Sequence, residues 1–203
     1  MPEFRSYAAL YREALNTNSP VYEFLCLFKI IESLRGRRIR FARDAKKTNA
    51  NYIPPTEVLP GNTGEIKAWL EALFYIRREF DLSTFESAVP PDLRGRTAAD
   101  VIENVLKPLR VNVAHALFGS RGELPLSSDD LLHTHKLTHR LLVTKCLVRR
   151  MLKNDFPNDF LITFRDSDDE LLRRFQTVRS ADLTLCGRVW GNVARLWVVY
   201  SAW

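Results

Sequence analysis

A mostly α-helical bundle with a C-terminal extension is the fold class to which this sequence points, on three observations. Apolar residues recur at three- and four-residue steps, most densely at Phe24, Leu27, Phe28, Ile31 and Leu34, the spacing that lines one face of a helix. Helix-opening signals stand ahead of such stretches: Ser19 before Pro20, and the pairs Asn62/Glu65, Thr97/Asp100 and Ser127/Asp130 match N-caps and capping boxes. The breakers Pro54-Pro55, Pro60-Gly61, Pro90-Pro91 and Gly95 fall between them. A chain of 203 residues buries roughly 70% of its unfolded surface, enough for one real core.

Taken in order, Tyr7, Leu10, Tyr11 and Leu15 suggest a short amphipathic helix. The segment VYEFLCLFKIIESL follows as a central core helix, and a long connection leads from it to Pro60. IKAWLEALFYIRREF is the next helix. VIENVLKPLRVNVAHALF is another, with a kink or restart near Lys107 because Pro108 lacks an N–H and its ring crowds the preceding turn. A long helix opens at Ser127 and runs to about Lys153. Beyond it, DFLITF reads as a short strand, Ser167 and Glu170 cap a helix through Phe175, and Val189 to Trp203 reads as an apolar helix, although its Val and Trp content also suits a strand. The resulting division is a helical domain over 1–153 and an extension over 154–203. Trp190, Trp197 and Trp203 of that extension are expected to dock onto the chain's own core, with an interface to another copy or a partner as the alternative.

Composition narrows the function classes. Three scattered cysteines, Cys26, Cys146 and Cys186, frame neither a disulfide scaffold nor a zinc site. MPEFRSYAAL lacks a signal-peptide apolar run, and Arg188 and Arg195 interrupt the most hydrophobic region. A soluble, cytoplasmic protein without a membrane partner is expected. The net charge of +6 is concentrated in RGRRIRFARDAKK, where Arg35, Arg37, Arg38, Arg40, Arg43, Lys46 and Lys47 face only Asp44. Such a stripe attracts phosphate backbones through Coulomb attraction and counterion release; the bland alternative is a solvated loop or helix end. GxGxxG, GxxxxGK[ST], HExxH and GxSxG are all missing, which disfavours nucleotide cradles and the common hydrolase elbows. No cofactor and no metal are expected. His135 and His139 are four apart, a metal-gripping spacing. No third ligand joins them convincingly, and with His133 they read as polar-face residues.

His115 is the histidine with a partner. It stands five residues after Arg110, with Asn112 between them on His115's side of the helix. On a straight helix five residues turn through about 500°, leaving positions 110 and 115 roughly 140° apart. Arginine's reach, or a distortion at Pro108, is then needed for both to address one phosphate. The arrangement resembles the HEPN superfamily, helical bundles carrying an Arg–four-to-six residues–His motif, and the resemblance covers roughly residues 1–153. SPVYEFLCLFKIIESLRGRR is also similar to proteins labelled methylamine-utilisation MauJ-like, a label that specifies no reaction. The HEPN resemblance implies a homodimer whose two motifs share a cleft, and metal-independent RNA cleavage through the 2′-hydroxyl. In that reading Arg110 neutralises the scissile phosphate, His115 transfers protons and Asn112 is an accessory contact. A toxin or anti-phage effector, with an antitoxin or operon partner, is the implied setting. Val111 stands where many active members carry a polar residue. Leu117 replaces the tyrosine of members silenced by nucleotidylation, which argues against that mode of control. Two alternatives stay open: a catalytically inactive interaction or scaffold module, and a basic RNA binder that does not cleave.

Overall fold

The computed structural model describes residues 2–74, 88–118 and 131–164; within these ranges the side chains of 114–118, 131–136 and 161–164 lie outside the description. The described elements are α1 (Pro2–Asn16), α2 (Pro20–Lys47), α3 (Thr63–Phe74), a 3-10 turn (Pro91–Leu93), α4 (Ala98–Val101), a π-helical turn (Ile102–Leu106), α5 (Lys107–Phe118), α6 (Leu131–Asp155) and α7 (Pro157–Phe164). Among the described residues the extended pairing is a single antiparallel bridge, Val58 with Thr97. The fold is all-α. No described helix is long and apolar enough to cross a membrane.

The capping signals act as expected. Ser19 Oγ accepts the Tyr22 N–H at 3.3 Å, and Pro20 occupies the first turn of α2, where its missing N–H has no partner to lose. Asn62 Oδ1 accepts the Glu65 N–H at 3.0 Å while Glu65 Oε2 accepts the Gly61 N–H at 2.7 Å, so α3 opens on a reciprocal box. Thr97 Oγ1 accepts the Asp100 N–H at 3.3 Å at the start of α4.

The apolar stripe of α2 is the centre of the core: Phe24, Leu27, Phe28, Ile31 and Leu34 are all at most 2% exposed. Fully burying such side chains contributes about 1.5–3 kcal/mol each. Helix α2 packs chiefly on α6 and α1, and α3 packs on α6. In α1 the buried face is Phe4, Tyr7, Ala8, Tyr11 and Ala14, while Leu10 and Leu15 are half-buried. The inward face therefore lies slightly off the Leu10/Leu15 stripe, because Phe4 and Tyr7 both pack on Phe156.

Three expectations need correction or refinement. Of the loop and the helix end left open for the stripe 35–47, it is the helix end: α2 continues to Lys47, since Arg, Lys and Ala are good helix formers and nothing in the stretch breaks the ladder except tolerated Gly36. DFLITF is helical, forming most of α7 rather than a strand. Pro157 at its first position and the burial of Phe156 and Phe160 favour a helix that lays aromatics on the bundle, whatever the β preference of Ile and Thr. The interruption expected near Lys107 takes the form of a π turn, in which the Lys107 N–H reaches back five residues to the Ile102 carbonyl. Widening the helix there moves the Asn104 carbonyl out of the path of the Pro108 ring. The stretch after Phe74, the Ser127/Asp130 box, the helix through Phe175, the tail from Val189 and its tryptophans lie outside the described residues.

Candidate nucleic-acid interface

The basic stripe divides into a buried half and an exposed half. Arg38 is buried, yet its donors are saturated. Nη1 and Nη2 meet Glu57 at 2.9 and 2.6 Å, Nε meets Asp155 at 3.0 Å, and Nη1 also reaches the Pro55 carbonyl at 3.3 Å. Asn154 Nδ2 donates to Glu57 at 3.0 Å and completes the cluster. Burial alone would lower the Arg38 pKa, but Glu57 and Asp155 outweigh it and raise it. Arg37 is also buried. Its guanidinium lies between the Phe41 and Phe156 rings, 4.3 and 4.4 Å from their centroids, and it pairs with Glu3 at 3.2 Å and Asp155 at 3.6 Å. A cation held between two rings and two carboxylates is a structural tie. It ties α1, α2 and the end of α6 together.

Arg35 is partly exposed and donates to Glu103 at 2.6 Å, joining α2 to the π turn. Lys107 Nζ takes the other oxygen of Glu103 at 3.0 Å. Together they hold the Glu103 carboxyl below its ordinary range. Arg40, Arg43, Lys46 and Lys47 are exposed; Arg40 stands 3.7 Å from Glu3 and Arg43 3.8 Å from Asp44, separations worth little in water. Glu3, Glu57, Glu103 and Asp155 are the partners that sequence reasoning missed. Glu57, a single acid inside the proline-rich loop, was the one faint signal.

The Arg110 motif lies on α5. Arg110, Val111 and Asn112 are exposed, whereas Val113 is 2% exposed and turns inward. Among the described residues no carboxylate pairs with Arg110. The backbone of His115 belongs to the same helix, and its side chain lies outside the described residues, as do those of His133 and His135. Because the π turn ends at Leu106, it precedes both motif positions and cannot alter the roughly 140° between them. His139 is exposed, and no group of three metal-ligating side chains occurs among the described residues.

An all-α bundle with a basic second helix, and with Arg110 exposed on α5 and unpaired with any described carboxylate, defines the class. The particular family follows from comparison: the family described as Methylamine utilization protein MauJ matches residues 7–153, and the chain belongs to it. No curated protein and no solved structure matches the chain.

Proposed function

We propose that this MauJ-family chain is a HEPN-like, metal-independent RNA endonuclease that acts as a cytoplasmic homodimer. The observation that carries the reading is the state of Arg110. Arg37 and Arg38 are consumed by the chain's own carboxylates, whereas Arg110 is exposed on α5 with no carboxylate partner among the described residues. A planar, permanently charged fork left in water is matched to phosphate oxygens.

In the proposed reaction the RNA 2′-hydroxyl gives up its proton as its oxygen bonds to the adjacent phosphorus, the P–O5′ bond breaks to leave a 2′,3′-cyclic phosphate, and the departing 5′-oxygen takes up a proton, so the proton balance is zero. His115 moves that proton, as an imidazole titrating near neutrality can. Arg110 neutralises the charge on the non-bridging phosphate oxygens, and Asn112 is an accessory polar contact. Positions 110 and 115 diverge on one straight helix, so the reading places Arg110 of one copy beside His115 of the other. Arg40, Arg43, Lys46 and Lys47 supply non-specific backbone attraction. A toxin or effector role, and an antitoxin or operon partner, belong to this same reading.

The test is incubation of wild type and His115→Ala with total RNA and single-stranded oligomers, with and without EDTA. Cleavage by wild type alone, indifferent to EDTA, is expected, with circular dichroism and melting temperature unchanged between the two proteins. Intact RNA in every lane from a folded dimer would favour the non-cleaving interaction module. That second reading draws on the same 140° separation, which leaves a single copy without a composed site.

A further inference from the structure

We infer that the groove between α2 and the α4–π segment is a docking site for an acidic amphipathic helix of a partner protein. The apolar walls of this groove play no part in the cleavage reading, and the inference does not depend on that reading; Arg43 and Lys46, which that reading uses for backbone attraction, form the rim here. The groove encloses about 490 Å³. One wall is the outer face of α2, with Arg35, Ile39, Ala42, Arg43 and Lys46 at successive helical steps; the other is Ala98, Ala99 and Ile102, with Pro54–Glu57 between them. From Arg35 to Lys46 the wall runs about 16 Å at 1.5 Å per residue, the length of three helical turns.

Its surface is largely apolar, and no described residue covers Ile39. Ile39 is 67% exposed, and the loop wall is bracketed by Ile53 and Val58 at 79% and 55%. Ile39 in the groove, with Ile53 and Val58 just outside it at the two ends of the loop wall, marks an interaction surface better than a single exposed aliphatic would. The alanines on both walls let a helix backbone approach closely.

Charge selects the occupant. Arg38 and Glu57 cancel within the wall, and Arg35 is held by Glu103. Arg43 and Lys46 remain, one turn apart on the rim. Asp44 lies 3.8 Å from Arg43 with both side chains more than half exposed, too weak a pair to neutralise it. An apolar floor under a cationic rim fits a helix presenting apolar residues at i, i+3, i+4 and i+7 with carboxylates at its edge. Among the described residues no aromatic ring lines the groove, so they offer single-stranded RNA no stacking platform there.

The probe is a fluorescein-labelled helical peptide of roughly 16 residues, with leucines at that spacing and glutamates elsewhere, read by fluorescence polarisation against the full chain. Its lysine counterpart and a labelled single-stranded RNA are run beside it. The glutamate peptide is expected to bind and the lysine peptide not to. Affinity should fall at least about tenfold in Arg43→Glu/Lys46→Glu, a variant at exposed positions that keeps its melting temperature, and Ala42→Trp should abolish binding by filling the groove. Charge reversal should also make the lysine peptide the better ligand. Absence of binding by the glutamate peptide, or binding that both variants leave unchanged, overturns the proposal. So does RNA that displaces the peptide and loses affinity in Ala42→Trp, because the groove itself would then belong to nucleic acid; RNA weakened only by Arg43→Glu/Lys46→Glu reflects the backbone attraction of the cleavage reading and leaves peptide binding as the deciding result.

Discussion

Without the Arg38 guanidinium, Glu57 and Asp155 are left without it in a pocket where their side chains are 5% and 2% exposed. Breaking a buried pair by deleting one partner is far costlier than never having built it. Arg38→Met is therefore expected to lower unfolding free energy by about 3–5 kcal/mol in urea titrations. Arg110→Ala, on an exposed position with no ion pair among the described residues, should stay within about 0.5 kcal/mol. The same titration thus separates a structural arginine from a functional candidate. Surface carboxylates set the acid limit. The Arg140 guanidinium holds the Asp92 carboxyl below its ordinary range, and Arg35 does the same for Glu103. As pH falls the unfolded chain takes up those protons first, so the stability from these pairs is present above about pH 4 and lost below it. Melting temperature should hold from pH 7 to about 5 and then decline, and Asp92→Asn should flatten the decline. Burial pushes the Cys146 thiol up to about 12, and Cys26 is buried and raised as well. In a Cys186→Ser background the native protein should react with a thiol reagent only after denaturant is added.

At the scale of elements, the π turn accommodates one residue more than an α-helix would need, and it lies immediately before Pro108. Deleting exposed Asn104 should convert the turn to α-helix and bring the Pro108 ring against a carbonyl, at a cost of about 3 kcal/mol. Combined with Pro108→Ala, the same deletion should be close to neutral; melting curves of the two proteins check the coupling. The sequence announced that a break was needed here, because proline's chemistry is local, but it could not choose between a kink, a restart and a widened turn. The same limit runs through the rest. Ser19, Asn62, Thr97 and the α2 stripe were legible because caps and helical periodicity involve residues a few positions apart. The fate of the basic stripe was not. Its seven cations look alike in sequence, and only partners such as Glu3 and Asp155, far away along the chain, decide that Arg37 and Arg38 are buried while Arg43 and Lys46 face water. Helix α6 offers another case. Arg149 donates to the Leu73 carbonyl at 2.8 Å and Lys153 to the Ala72 carbonyl at 2.6 Å, so two cations of α6 serve the backbone of α3, a pairing no local pattern announces.

Over the whole molecule, the proposed cleavage site needs two copies and the proposed docking groove only one. Light scattering should therefore give a dimer at micromolar concentration, and a strict monomer would leave Arg110 and His115 on diverging sides of one helix. The arginine cluster also carries a practical consequence for cutting the chain. The family match ends at residue 153, which invites a recombinant fragment stopping there. Such a fragment discards Asn154, Asp155, Phe156 and Phe160, and with them one of the two Arg38 carboxylates, an Arg37 carboxylate and one of the two rings that sandwich Arg37. Two buried cations would then sit in a core built to neutralise them from 117 residues away, and insoluble expression should follow. A fragment carried on to residue 164 keeps every one of those partners.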